Sequence, residues 1–483
     1  MDFDSTTGVD RAGLGRVHFI GLGGAGMSAI ARILLARGVA VSGSDAKDSA
    51  GLRELEALGA TVHVGHGADA VAAVDTVVVS TAIREANPEL AAARAAGLRI
   101  IHRSQALAAA MAGDRVVAVA GTHGKTTTTS MVTVLLRATG VDASFAIGGT
   151  VPALGVNAAH GSADVFVAEA DESDGSFLNY LPHIAVVTNV EPDHLDHYGT
   201  AEAVYKSFDD FAALVPATGL LVACADDAGS AALAARARAA GTATWTYGRS
   251  EGADLRLSAG MDSTGTGTHS TVTLAGPGGA ALVLPLDLQV PGEHNALNAA
   301  AALAVAVALG VDPAAAAAAL GTFTGAARRF EAKGQARGVR VFDDYAHHPT
   351  EVAAALKAAR NVAGEHRVHV LFQPHLFSRT REFAAEFAQA LSLADTVAVL
   401  DIYPAREDPI EGVTSELITD RLQGSRGYAP DAQAAVAALA AAAVDGDIIL
   451  TIGAGDVTGY GLPLVQALAD STAAAGSGGA GGH

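Results

Sequence analysis

Short runs of valine, isoleucine and leucine, each opening into a glycine-bearing or polar loop and then an alanine-rich helix, recur along almost the whole chain. "RVHFIG" (16–21) leads into "GMSAIARILLARG", which reads as a helix with Ile30, Ile33 and Leu34 on one face and Gly38 as its stop. "VAVSGSD", "TVHVGH", "DTVVVSTAI" and "LRIIHRS" supply further strands. Strands alternating with helices require crossover connections, and so a parallel sheet covered by helices. The rhythm restarts at "RVVAVAG" (115–121), followed by a helix carrying Met131, Val134 and Leu135, and by strands "DVFVAEAD" and "IAVVTNV". Between about 253 and 290 it changes to two-residue alternation around "GPGG", which predicts antiparallel hairpins. From Gly325 four more strand-loop-helix units follow, each with charged or histidine residues directly after its strand. Open α/β sheets bind ligands at the carboxyl ends of their strands, so these loops should line one cleft.

With 483 residues the chain exceeds one ordinary core. The reading is α/β with three domains: residues 1–112, Rossmann-like; 113–325, a P-loop-type ATPase domain with added hairpins; and 326–470, Rossmann-like again. Residues 471–483 read as a flexible tail. Alanine runs such as "AALAARARAA" serve as helix surfaces and helix-helix seams, compatible with a monomer or a homodimer. A formal net charge of −20 argues against nucleic-acid binding. An anionic substrate must therefore find its positive charge locally. No membrane-length apolar stretch occurs and "MDFDSTTGVDRAG" lacks a signal-peptide core, so a cytoplasmic location is expected. The single cysteine, Cys224, excludes an internal disulfide and a multi-cysteine zinc site; it reads as a small core residue.

Two loops point to nucleotides. Gly21-Leu22-Gly23-Gly24-Ala25-Gly26 fits G-x-G-x-x-G between a strand and a helix, with Asp45 near the end of the next strand. Taken alone it suggests a dinucleotide site, or else a structural glycine turn beside a solvated carboxylate. The second, "AVAGTHGKTTTTS" (118–130), is a phosphate loop of shortened form: Val119 stands where the usual spacing has its first glycine, leaving Gly121 and Gly124. Backbone N–H groups from Gly121, Thr122, His123, Gly124 and Thr127 would wrap phosphates, Lys125 would neutralise the outer ones, and the Thr126 hydroxyl would meet Mg²⁺. Mg²⁺ favours oxygen ligands. Glu169, Asp171, Glu172 and Asp174 after one strand, and Glu191, Asp193, His194 and His197 after another, are the available groups.

The motifs "GLGGAGMS", "GTHGKTTTT", "AEADESD", "NVEPDHLDHY", "GEHNALNAAAA", "RRF", "DDYAHHPTE", "FQPHLFSRT" and "IYPAREDP", in this order, resemble the Mur ligases over roughly residues 16–460. The resemblance implies an ATP-dependent ligase that joins L-alanine to the lactyl carboxylate of UDP-N-acetylmuramate through an acyl phosphate, with Mg²⁺ or Mn²⁺. It turns the first glycine loop into a UDP-sugar site, with Gly21, Gly23, Gly24, Gly26, Met27, Ser28 and Asp45, instead of a nicotinamide site. It implies a metal site of Thr126, Glu169 and His194. His294, Asn295 and Asn298 would lie against adenine and ribose, and Arg328 or Arg329 would reach toward the phosphates. Tyr345, His347, His375 and Arg379 would surround the reacting carboxylate and the amine, with His347 or His375 taking the amine proton. Two positions depart from the pattern: Phe208 stands where some relatives have a metal-bridging carbamylated lysine, Lys206 lying two residues before it, and Leu376 stands where some carry arginine. Closure of the third domain over ATP is expected to exclude water from the acyl phosphate.

Overall fold

The computed structural model describes residues 3–6, 9–258, 267–275, 281–405, 407–422, 424 and 426–476. Three sheets organise them, with parallel Rossmann-like sheets toward both ends of the chain and a mixed sheet between. In the first, strands Thr61–Val64, Val41–Asp45, Val17–Ile20, Thr76–Val79 and Arg99–His102 lie side by side in that order, all parallel. Successive residues point to opposite faces, and the core divides accordingly. Phe19, Val78 and Ile101 join one apolar cluster with Ile33 and Leu34, whereas Ile20, Val77 and Val79 join another with Leu90. Both faces of the central strands Val17–Ile20 and Thr76–Val79 are thus buried, which is why those two read as apolar runs.

The second sheet has ten strands, in the order Ala281–Leu288, Thr268–Ala275, Leu255–Leu257, Thr244–Gly248, Leu220–Cys224, Ile184–Val187, Arg115–Ala120, Val165–Glu169, Ser144–Ala146 and Ala158–Ala159. Arg115–Ala120 lies in its interior, parallel to both neighbours. The expected antiparallel addition is present: Leu255–Leu257 pairs antiparallel with Thr268–Ala275. The "GPGG" segment itself lies outside the described residues.

The third sheet runs Glu331–Ala336, Val339–Asp344, Ile448–Ile452, Val368–Phe372, Thr396–Val399 and Arg426–Tyr428, parallel except for its antiparallel first pair. Here too alternate residues feed two clusters, Phe342, Val370 and Leu450 on one side and Val341, Leu371 and Ile449 on the other.

The backbone divides into two compact units, Met1–Ala259 with Ser270–Leu286 and Leu297–Phe323, and Gly260–His269 with Asp287–Ala296 and Thr324–His483. The first unit holds the first sheet and most of the second around one continuous apolar cluster, from Leu14 through Phe166 to Ala237. The expected tail is shorter at its start than the sequence suggested, because helix Gly461–Gly476 continues through Ser471-Thr472-Ala473-Ala474-Ala475. That run contains no helix breaker. Residues 477–483 lie outside the described residues. Among the described residues no helix is long and apolar enough to cross a membrane.

Candidate active site

The first glycine turn is held from beneath. The amides of Gly21 and Leu22 both donate to the Ser44 carbonyl at 2.8 Å, and the Gly23 amide donates to Asp45 Oδ2 at 2.9 Å. Asp45 is therefore neither a loose surface charge nor a distant residue; it ties the end of its strand to the turn. Helix Ala25–Ala36 starts at Gly24 without a side-chain cap, which leaves its first amides open to an anion. Met27 is buried, and the Ser28 hydroxyl donates to the Ala25 carbonyl. Gly26 has a steric reason that the motif alone does not show: a Cβ there would lie 2.8 Å from Arg103 Nη1. Arg103, not singled out in the sequence reading, reaches on to Asp171 at 3.4 Å. A cleft of about 100 Å³ runs from Gly26 and Arg103 to Gly148, Glu169 and Asp171.

Beyond Glu169, which accepts from the Thr126 hydroxyl, stands the phosphate loop. Its strand, Arg115–Ala120, has Val119 opposite Glu169 and Ala120 opposite Val187, so the acids after both neighbouring strands flank the loop. The loop is pinned by Thr188 and Asn189: the His123 amide donates to Asn189 Oδ1 (2.8 Å), and the Thr188 hydroxyl donates to the His123 carbonyl (2.5 Å). The Thr122 hydroxyl accepts from the Glu191 amide at 2.9 Å. Helix Lys125–Ala138 is buried along most of its length, and the hydroxyls of Thr129, Ser130 and Thr133 are satisfied by carbonyls one turn back.

Gly121 adopts φ +134°, and a Cβ there would fall 2.0 Å from Thr188 Oγ1 and about 3 Å from two backbone nitrogens. Gly121→Ala is accordingly expected to cost roughly 2 to 5 kcal/mol, from backbone strain plus overpacking. Urea unfolding with an unchanged midpoint would contradict this.

Lys125 folds back on its own loop, donating to the carbonyls of Gly121 (2.7 Å) and Thr122 (3.1 Å) and pairing with Glu172 at 2.9 Å. Burial works against the ammonium, but Glu172 and Asp171 outweigh it and raise the Lys125 pKa. Glu172 is pushed up to about 7 by burial, against the pull of Lys125. Burial also works against Asp171, yet Lys125, the Ser173 amide and Arg103 hold it below the usual carboxylate range. The Thr126 hydroxyl donates to Glu169 Oε1 (3.1 Å), and Glu169 Oε2 accepts from the Gly148 amide (2.7 Å). His194, in a left-handed conformation at φ 55°, places Nε2 3.7 Å from Glu172 and 3.6 Å from Asp193. Of the three expected metal ligands, Thr126 and Glu169 meet directly, whereas His194 turns to the carboxylate that also holds Lys125. Thr127 is buried in the first helical turn. Asn298 packs on Gly124, where a Cβ would meet its Oδ1 at 2.8 Å.

Phe208 is fully buried with its ring edge-on to Phe177, and Lys206 is exposed and paired with Asp210. Neither position offers a lysine to bridge metals beside the phosphate loop.

In the second unit, His294 and Asn295 open helix Glu293–Ala308. Burial and the Arg329 charge push His294 down to about 4, so its ring is neutral at physiological pH. Asn295 Nδ2 donates to the Pro291 carbonyl at 2.7 Å. The parallel strands of the third sheet deliver their loops to one end, as expected. Tyr345 and His347 lie with ring centroids 5.2 Å apart, His347 and His375 5.8 Å, and His375 stacks on Tyr403 at 5.8 Å. The guanidiniums of Arg328 and Arg329 sit 4.7 and 5.1 Å from the Tyr345 ring. Arg328 is committed locally, donating to the Gly453 carbonyl at 2.6 Å and contacting Asp343 at 3.4 Å. Arg379 is buried within helix Phe377–Glu382, and Leu376, its buried cap, takes φ +70°.

Comparison with known proteins agrees with this arrangement. Residues 16–115 match the model for the Mur ligase family, catalytic domain; 119–306 match the Mur ligase middle domain; and 328–455 match the Mur ligase, glutamate ligase domain. The UDP-N-acetylmuramate–L-alanine ligase of Renibacterium salmoninarum is 65% identical over 94% of this chain and 96% of its own length, and that of Paenarthrobacter aurescens 67% identical over 94% and 97%. Among solved structures, the UDP-N-acetylmuramate-alanine ligase of Thermotoga maritima aligns with TM-score 0.76 at 29% identity, over 94% of this chain and 99% of that one. A murein peptide ligase from Psychrobacter arcticus aligns with TM-score 0.68 at 27% identity, over 94% and 99%. With Mur ligase family models matching three successive stretches of it and relatives 65–67% identical over 94% of its length, the chain belongs to the Mur ligase family.

Proposed function

We propose that this chain uses ATP to join L-alanine to the lactyl carboxylate of UDP-N-acetylmuramate, releasing ADP and phosphate, as a step in making peptidoglycan precursors. One observation supports the reading above others: a small cleft runs from Gly26, in the first turn of the uncapped helix, to Glu169, which accepts from the Thr126 hydroxyl. A nucleotide sugar with its diphosphate at the glycine turn would direct its acid end toward the phosphate loop. A nicotinamide dinucleotide has no use for Lys125 and Thr126 at that end.

A carboxylate resists an amine because its carbon is electron-rich and oxide is a poor leaving group. Phosphorylation by ATP turns that oxygen into a phosphate leaving group. Two anions must meet in this step, and the loop amides and Lys125 would absorb the charge that develops. The carboxylate of Glu169 and hydroxyl of Thr126 are hard oxygen donors 3.1 Å apart, a pair that suits Mg²⁺ or Mn²⁺, and His194 would join them after turning from Glu172. The ion would supply charge neutralisation for the phosphates. Arg329 would add charge from the third sheet, with His294, Asn295 and Asn298 along the adenosine. His347 or His375 would take the proton of the alanine amine as Arg379 and Tyr345 shape the pocket. We assign the three sheets to three domains, residues 1–112, 113–325 and 326–470, in a cytoplasmic monomer or homodimer.

Phosphate release with UDP-N-acetylmuramate and a panel of amino acids tests the proposal. L-Alanine should give the fastest turnover, with glycine and serine slower by roughly 10- to 200-fold, the discrimination a small apolar pocket allows. Preference for an intact tripeptide would replace the proposal with a recycling ligase. ADP release independent of both sugar nucleotide and amino acid would replace it with a nucleotide-switched protein.

A further inference from the structure

A second cavity, of about 500 Å³, lies within the first compact unit. It is bounded by Ser5, Val9 and Asp10 near the start of the chain, by one face of helix Arg103–Met111, and by Leu178, Asn179 and Leu181. Small-molecule sites are of this size, roughly 300 to 1,000 Å³. Neither the first glycine turn nor the phosphate loop contributes a residue to it, so the proposed reaction does not use it.

Its polar lining is rich in acceptors. Asp10 and Asp114 bring carboxylates, and the lining contains no lysine, arginine or histidine. Two guanidiniums border it without lining it: Arg11 donates to the Ala112 carbonyl (3.3 Å), and Arg37 to the Ala110 carbonyl (2.5 Å) and to Asp114 Oδ2 (2.5 Å). Asn179 commits its amide nitrogen to Ser104 Oγ (2.8 Å) and the Ser176 carbonyl (3.1 Å), and Gln105 commits both ends of its amide, to His102 N and the Asp4 carbonyl. Besides the hydroxyls of Ser5 and Thr6, a ligand therefore meets carboxylate and amide oxygens, which call for a donor. The remaining walls are apolar. Leu181 among them is 74% exposed, a surface that an occupant would cover.

The cavity shares its walls with the cleft. In helix Arg103–Met111, Arg103, Ser104 and Leu107 line the cleft, whereas Gln105, Ala108 and Met111 line the cavity. Further along, Ser176 and Tyr180 line the cleft, and Leu178 and Leu181 the cavity. The hydrogen bond from Asn179 to Ser104 ties these two walls together.

We infer that this cavity is a second ligand site, for a compact amphipathic amine, and that its occupant acts on the sugar-nucleotide cleft through the two shared walls. The ammonium would meet the acceptor oxygens of Asp10 and Asp114, with the apolar body against Met111, Leu178 and Leu181. An occupant that presses these walls outward narrows a cleft of only about 100 Å³, so the sugar nucleotide binds more weakly. The site stands independently of the ligase reading; its effect on the cleft rests on that reading.

Disulfide capture in the full-length protein tests both parts. The single cysteine, Cys224, is buried and its thiol is pushed up to about 11 by burial, so it stays unreactive. Ala108→Cys places a thiol in the cavity. It is equilibrated at fixed mercaptoethanol with benzylthiol disulfides carrying a para aminomethyl, hydroxymethyl or carboxylate group, and with cystamine, and adducts are measured by mass spectrometry. The aminomethyl probe should be captured about tenfold more than the carboxylate and severalfold more than cystamine, which lacks the apolar body. Adding Asp10→Asn, which keeps an oxygen for the Gly13 amide, should cut the preference over the carboxylate to about threefold. Ala213→Cys, exposed on helix Ala201–Ala213 beyond Asp209 and Asp210, controls for general acidity and should discriminate by no more than about twofold. The aminomethyl adduct should raise the UDP-N-acetylmuramate Kd, measured by calorimetry, by about fivefold. If Ala108→Cys does not fold, Ala112→Cys on the same lining replaces it with the same expected order. Equal capture of the charged probes, or the same preference at Ala213→Cys, would overturn the ligand assignment. Capture that leaves the sugar-nucleotide Kd unchanged would overturn the coupling. Unmodified protein that binds no UDP-N-acetylmuramate would instead overturn the ligase reading and leave the capture result standing.

Discussion

Lys125→Ala should abolish most turnover, with kcat for phosphate release lowered by about 10³-fold and binding of UDP-N-acetylmuramate retained. The ammonium is charged, buried and already held by two loop carbonyls and Glu172, so arriving phosphates would find it in place without an ordering cost. Sugar-nucleotide binding should survive because the glycine turn draws its support from Ser44 and Asp45. The substitution has a second consequence: Glu172, 2% exposed, loses its counter-ion. Removing one partner of a buried pair typically costs about 3 kcal/mol or more, lessened here because the carboxyl can take up a proton. Lys125→Ala with Glu172→Gln should therefore recover stability and leave turnover as low as in the single variant. Recovery of turnover in the double variant would mean that the orphaned carboxylate, and not the lost ammonium, had stopped the reaction. Normal turnover in Lys125→Ala would remove the assigned role altogether.

The parts of this architecture that were legible in the sequence are those whose cause is local. Strands such as Val165–Glu169 and Ile448–Ile452 are buried on both faces, so their composition alone marks them. Glu331–Ala336 escaped notice because its Glu-Ala-Lys-Gly-Gln-Ala sequence is half exposed at a sheet edge, where burial imposes no apolar pattern. The phosphate loop was readable because its chemistry needs Gly, Lys and Thr in succession. What sequence could not supply was pairing. That Arg103 sits against Gly26 and Asp171, that His194 turns to Glu172, and that Asp344 joins Phe330 to Ala346 all depend on which strands lie side by side. Nor does the motif as a string say that the Met27 side chain is buried and that the Ser28 hydroxyl donates to the Ala25 carbonyl.

Glu169→Gln should separate the charge of the metal site from its shape. Glu169 accepts from Thr126 Oγ1 and from the Gly148 amide. A glutamine can keep its oxygen on Gly148 and offer its amide to the threonine hydroxyl, which accepts as readily as it donates. The loop geometry is then retained, and the melting temperature should move by no more than a degree or two, roughly what a few tenths of a kcal/mol produce. The lost negative charge is a different matter, because a hard divalent cation takes much of its affinity from carboxylates. The expected result is a kcat reduced by about 10²- to 10³-fold, partly restored by raising Mg²⁺, and weaker Mn²⁺ binding in the presence of nucleotide, followed by electron paramagnetic resonance. Adding Thr126→Val should deepen the loss by far less than it causes alone, since residues that act as one unit are not additive. An unchanged Mg²⁺ dependence in Glu169→Gln would place the cation elsewhere and leave Glu169 as a support for Gly148.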